Sequence, residues 1–208
     1  MNICVIGCGY VGLVTGAVFA DLGNDVIGVD IDQNRVDTLN SGDCPIHEPR
    51  LPELLEHNLR EGRLTFTTSI PEAVLKSEII FVCVGTPPVE DGGTDLSQVE
   101  AAATDIARAL NSYKIIVNKS TVPVGTGDFV REVIEKNGVA STDFDVVCNP
   151  EFLREGQAVR DTLQPDRIVI GSSSEKAAKI VQLLYQTHIN ISLSRRTYAS
   201  RSLRSPDQ

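Results

Sequence analysis

The stretch NICVIGCGYVGLVTGAVFADLGNDVIGVDID, residues 2–32, decides the fold. Residues 2–7 and 25–30 are apolar runs of strand length, and residues 10–22 between them read as a helix. Gly7, Gly9 and Gly12 stand at the join in a GxGxxG spacing. In such a unit the first glycine permits the tight turn, the second lets the backbone approach a pyrophosphate, and the third lets helix and strand pack closely. A helix starting near Tyr10 aims its free N–H groups and positive dipole end at the same place. Asp30 closes the second run, 18 residues after Gly12, where an acid accepts the ribose hydroxyls of a dinucleotide. A carboxylate there repels a 2′-phosphate, which favours NAD over NADP. Arg35 argues the other way if it meets such a phosphate rather than solvent. A glycine-rich turn with no ligand is the plain alternative, and that alternative has no need of the acid.

Outward from this unit, short apolar runs alternate with amphipathic stretches to about residue 186. Further strands are expected at 78–84, 114–119, 145–148 and 167–171, with a weaker one at 64–67. Helices fit 32–41, 50–61, 71–76, 96–110, 125–137 and 174–186. Runs such as EIIFVCVG and KIIVNKS are the near-continuous apolar strands of a sheet buried on both faces. The pattern predicts an α/β fold with a doubly wound, mostly parallel sheet of the Rossmann type.

The formal charge of the 208 residues is −9, which argues against a nucleic-acid partner. Residues 187–208, THINISLSRRTYASRSLRSPDQ, hold four arginines and one acid, so residues 1–186 carry 15 basic and 27 acidic side chains. The five cysteines lack CxxC spacing and mostly sit in apolar runs, which reads as reduced, buried thiols with no metal site. No stretch approaches the roughly 18 uninterrupted apolar residues of a membrane span, so a soluble, cytoplasmic protein is expected.

Ligands of an open α/β sheet sit beyond the carboxyl ends of its strands. Three unusual loops fall there: GTPPVEDGGTD at 85–95, STVPVGT at 120–126 and NPEFLREG at 149–156. The last places Glu151 and Glu155 about 6 Å apart on one face if the segment is helical. Mutual repulsion and partial burial would raise a carboxylate's pKa and suit it to acid/base work, whereas a solvated helix start tolerates the same pair. Spacing alone leaves both readings open. His47 and His57 read as surface or loop residues.

Together GYVGL, VDID, CPIHEP, VGTPP, STVPVGT and NPEFLREG resemble, in order, the N-terminal half of the UDP-glucose 6-dehydrogenase family, to which GDP-mannose 6-dehydrogenases are related. The resemblance covers residues 1–186. It implies oxidation of the primary alcohol of a nucleotide-linked hexose to a carboxylate with reduction of two NAD. STVPVGT, rather than an STVLPGT type, inclines the reading to UDP-glucose. The resemblance assigns Tyr10, Val11, Asp30 and Arg35 to the adenosine and pyrophosphate side of NAD, with Thr86 and Thr121 along its path and Glu155 near the nicotinamide. It assigns Glu151, Phe152, Leu153, Arg154 and Glu155 to the sugar nucleotide. Glu151 would act as acid/base in thioester hydrolysis, and Thr121 would position water. Members of this family form homodimers or larger assemblies.

The sequence also departs from the family. Its nucleophilic cysteine lies in a GFGGSCFPKD-like segment, and a lysine and an asparagine lie on a long central helix. This chain has no cysteine after Cys148. A thiolate is needed to carry the acyl group through the second oxidation. After VQLLYQ, where the central helix is expected, the Ser/Arg-rich stretch 187–208 suits a shifted reading frame or a disordered tail. The expected organisation is one NAD-binding Rossmann domain, 1–186, followed by an atypical tail, 187–208. Competing functions are a non-catalytic NAD-binding or regulatory protein and a different Rossmann dehydrogenase.

Overall fold

The structure is a computed structural model that describes residues 1–90 and 92–186. Six strands, β1 (Asn2–Ile6), β2 (Asp25–Val29), β3 (Leu64–Thr67), β4 (Ile79–Val82), β5 (Lys114–Asn118) and β6 (Phe144–Cys148), form one sheet. Their order is β3-β2-β1-β4-β5-β6, and every neighbouring pair is parallel. The order reverses between β1 and β4, which opens a crevice at the carboxyl ends of those strands.

Helices cover both faces. One face packs α1 (Tyr10–Asp21), α2 (Gln33–Asn40), α3 (Leu51–Arg60), α7 (Ala158–Leu163) and α8 (Glu175–Gln186). The other packs α4 (Ile70–Lys76), α5 (Ser97–Ala109) and α6 (Thr126–Lys136). Ile79 to Val82 of β4 are each at most 1% exposed, which is why the sequence there is unbroken apolar rather than alternating. The ring of Phe19 lies 5.1 Å from Phe81 and 5.4 Å from Tyr185, tying α1, β4 and α8 into one core.

The α/β reading and nearly all expected elements are borne out, including the weak strand at 64–67. Two expectations fail. Residues 167–171 form no strand; they meet β6 through a single antiparallel bridge, Cys148 to Gly171. The next hydrogen-bonded pair of such a ladder would be Pro150 and Val169, and proline has no N–H to donate. Asn149 Nδ2 reaches the Val169 carbonyl instead, at 2.8 Å. Nor are Glu151 and Glu155 on a helix: the chain is irregular through Gln157, and α7, which was not expected, begins only at Ala158. All five cysteines are free. Among the described residues no group of three metal-ligating side chains is assembled, and no helix is long and apolar enough to cross a membrane. The Ser/Arg-rich stretch 187–208 lies outside the described residues.

Candidate functional site

The site starts at the turn between β1 and α1, where the three glycines differ in what enforces them. Gly7 has φ +94°, and a Cβ on it would lie 2.7 Å from the Cys83 carbonyl oxygen. A Cβ on Gly12 would lie 1.8 Å from the Gly7 carbonyl oxygen, so the helix cannot approach the turn with any larger residue. A Cβ on Gly9 would meet no protein atom within 4 Å. Gly9 is the N-cap of α1, no side chain caps the helix, and no acid occupies its first turn. The first-turn N–H groups at Tyr10, Val11 and Gly12 are therefore free for an anion, beside the one glycine with an open flank.

Asp30 ends β2 and is 7% exposed. Its Oδ2 accepts the Cys8 N–H at 2.9 Å and a hydrogen bond from Arg35 Nη1 at 3.0 Å, while Oδ1 accepts the Asp32 N–H at 3.0 Å. The sequence placed Asp30 and Arg35 in one site; the Cys8 amide that locks the carboxylate to the glycine turn was not foreseen.

Across the crevice the three loops converge. Thr86 Oγ1 donates to the Thr121 carbonyl at 2.9 Å, and Thr121 Oγ1 lies 3.5 Å from Glu151 Oε1. Glu151 Oε2 accepts the Leu153 N–H at 2.7 Å, a local turn that fixes the carboxylate and replaces a helix. Arg154 grips Asp161 through Nε at 3.0 Å and Nη2 at 2.6 Å, which holds the Asp161 carboxyl below its usual range. Phe152 is 45% exposed, with the Arg167 guanidinium 4.4 Å from its ring centre. Glu155 is exposed and touches neither Glu151 nor Thr121 in any hydrogen bond.

Glu151, Phe152, Leu153 and Arg154 line a cavity of about 330 Å³ with Lys119 and Tyr185. Lys119 is 5% exposed, and its Nζ lies 3.4 Å from Asn149 Oδ1 and 3.3 Å from the Tyr185 hydroxyl. Neither Lys119 nor Tyr185 was singled out from sequence, since each is one polar residue at the edge of an apolar run.

Glu48, in CPIHEP, has a role that its sequence neighbours do not reveal. It is 4% exposed, and its carboxylate accepts the Tyr10 hydroxyl, the Gly156 N–H at 2.9 Å and the Val159 N–H at 3.4 Å. Burial first, and then Glu48, push the Tyr10 phenol up to about 12.

No thiol of this chain is activated. Burial pushes Cys83 up to about 12, against the pull of Lys119, and raises Cys4, Cys8, Cys44 and Cys148 as well.

Residues 1–189 match the model of the UDP-glucose/GDP-mannose dehydrogenase family, NAD binding domain. The chain belongs to that family. Its Rossmann-type sheet and glycine turn are the family's NAD-binding domain. It is 53% identical over 185 residues to UDP-glucose 6-dehydrogenase TuaD of Bacillus subtilis, covering 89% of this chain and 40% of that protein. Against the UDP-glucose 6-dehydrogenase of Rhizobium meliloti the identity is 48% over 189 residues, 89% of this chain and 43% of the relative. Among solved structures, a ternary complex of GDP-mannose dehydrogenase from Pseudomonas aeruginosa superposes with a TM-score of 0.86 at 38% identity, over 89% of this chain and 44% of that one. A UDP-glucose dehydrogenase from Pyrobaculum islandicum gives 0.85 at 42% identity, over 90% and 44%. This family member thus spans less than half the length of the relatives it matches.

Proposed function

We propose that this chain is the NAD-binding half of a UDP-glucose 6-dehydrogenase, an enzyme that oxidises UDP-glucose to UDP-glucuronate with two NAD. The observation that carries the reading is the open flank of Gly9 at an uncapped helix start, with the buried Asp30 carboxylate bound to the same turn. Gly7, Gly9 and Gly12 with the N–H groups of Tyr10 and Val11 hold the pyrophosphate, and Asp30 holds the ribose, with Arg35 beside it. Thr86, Thr121 and Glu155 flank the path toward the nicotinamide. When bound, NAD supplies the hydride acceptor. The irregular segment Glu151–Glu155 holds the sugar nucleotide against the cavity. Glu151, fixed by the Leu153 N–H and facing Thr121, serves as acid/base, and Thr121 positions water against it.

The 53% and 48% identities to UDP-glucose enzymes, and STVPVGT, favour UDP-glucose over GDP-mannose. Burial raises all five thiols, so none of them is poised as the nucleophile that carries an acyl group, and binding and turnover separate.

Calorimetry on the 208-residue chain with NAD, then UDP-glucose and GDP-mannose, tests this. The expected result is NAD binding, heat with UDP-glucose, and no NADH absorbance when both are present. Binding of GDP-mannose in preference reassigns the substrate, and sustained NADH formation overturns the separation of binding from turnover.

A further inference from the structure

Three donors from separate parts of the chain converge on one buried carboxylate. The Tyr10 hydroxyl comes from the glycine turn, the Gly156 N–H from the far loop and the Val159 N–H from the first turn of α7, the last two 108 and 111 residues beyond Glu48 in sequence. Among the described residues no lysine or arginine pairs with Glu48, although it is only 4% exposed. Carboxyl oxygens so removed from solvent depend on these hydrogen bonds, and losing any one of them leaves a buried polar atom without a partner. Tyr10 also contacts the loop directly, its hydroxyl 3.4 Å from the Arg154 carbonyl. Gly156 has φ +78°, a conformation that turns its N–H back toward Glu48 at no steric cost.

We infer that Glu48 is a positioning residue that latches the cofactor turn, through Tyr10, to the 149–157 loop and the start of α7, through Gly156 and Val159, so that filling one orders the other. The inference rests on the proposal that NAD sits at the Gly7–Gly12 turn. A phosphate at the start of α1 immobilises Tyr10, and the shared carboxylate passes that order to the segment carrying Glu151. A hydrogen-bonded chain between two sites is one physical carrier of such coupling, and Glu48 joins the two sites in one residue.

Amide hydrogen exchange on the 208-residue chain, with and without NAD, separates the possibilities. In the wild type NAD slows exchange at Gly9–Gly12 and also at Gly156 and Val159. In Glu48→Gln, whose single amide oxygen cannot serve three donors, the loop amides exchange at least about tenfold faster and no longer respond to NAD, while the turn still does. Tyr10→Phe keeps Glu48 on the loop, so the loop amides stay protected but lose their response to NAD; it decides the matter alone if Glu48→Gln fails to fold. A loop that still responds to NAD in Tyr10→Phe overturns the latch. Faster exchange throughout the sheet in Glu48→Gln assigns Glu48 a merely structural role and overturns it too. No protection of Gly9–Gly12 in the wild type overturns the NAD reading itself.

Discussion

Arg35 Nη1 lies 3.0 Å from Asp30 Oδ2, the oxygen that also accepts the Cys8 N–H. The pair is unequal: the Asp30 side chain is 7% exposed and that of Arg35 is 40% exposed, so Arg35 can swing into solvent and Asp30 cannot. In Asp30→Ala the proposed ribose acceptor is lost and Arg35 is released to meet a 2′-phosphate. NAD affinity should fall about tenfold to a hundredfold, the value of one or two hydrogen bonds to a charged group, and the preference against NADP should shrink. Paired calorimetric titrations of this variant check both; unchanged NAD affinity contradicts the assignment of Asp30.

The glycines should separate by mechanism. Gly12→Ala drives a methyl into the Gly7 carbonyl and should cost about 3 kcal/mol or more of stability, seen as a lower denaturation midpoint. Gly9→Ala meets no protein atom and should leave the midpoint within about 1 kcal/mol while weakening NAD binding. Equal stability losses at the two positions would mean that Gly9 serves the fold rather than a ligand.

Tyr10 carries a pH signature. Its phenol, ordinarily near 10, is pushed up to about 12, so the folded state holds the proton more tightly than the unfolded one. The stability this gives is complete below pH 10 and is lost as pH rises from 10 to 12. Burial and Asp145 raise the Tyr113 phenol as well, so an ultraviolet titration of tyrosinate should show a high-pH component that loses one tyrosine's amplitude in Tyr10→Phe, and that same share should move back toward 10 in Glu48→Gln.

Asn118 ends β5 at 2% exposure, and neither its side-chain nitrogen nor its oxygen has a hydrogen-bond partner. Its ladder neighbours are Val82 and Cys148. Replacing this amide by an apolar group of similar size removes a desolvation cost without breaking a bond, so Asn118→Leu should raise stability by about 1–3 kcal/mol in urea unfolding. A loss of stability would show that the amide has a partner of its own.

Where local chemistry decided the structure, the sequence was legible. The apolar run Ile79–Val82 admits only a doubly buried strand, and the 2–32 unit carries its turn, helix and acid within one short stretch. Legibility ended where the deciding contact was distant. Glu48 is one acid between two prolines until its partners at Tyr10, Gly156 and Val159 are brought together by the fold. Glu151 and Glu155 have helical spacing, but the Glu151 carboxylate takes the Leu153 N–H and Gly156 adopts a left-handed φ, and both favour a turn. Residues 167–171 have strand composition, yet Pro150 stands opposite and stops the ladder.

The most direct test of the account is a side-by-side calorimetric titration of the 208-residue chain with NAD and NADP. NAD should bind, and NADP should bind at least about tenfold more weakly, because its 2′-phosphate meets the buried Asp30 carboxylate. Absence of NAD binding, or equal affinity for the two, would contradict the claim that the Gly7–Gly12 turn and Asp30 form a cradle for NAD.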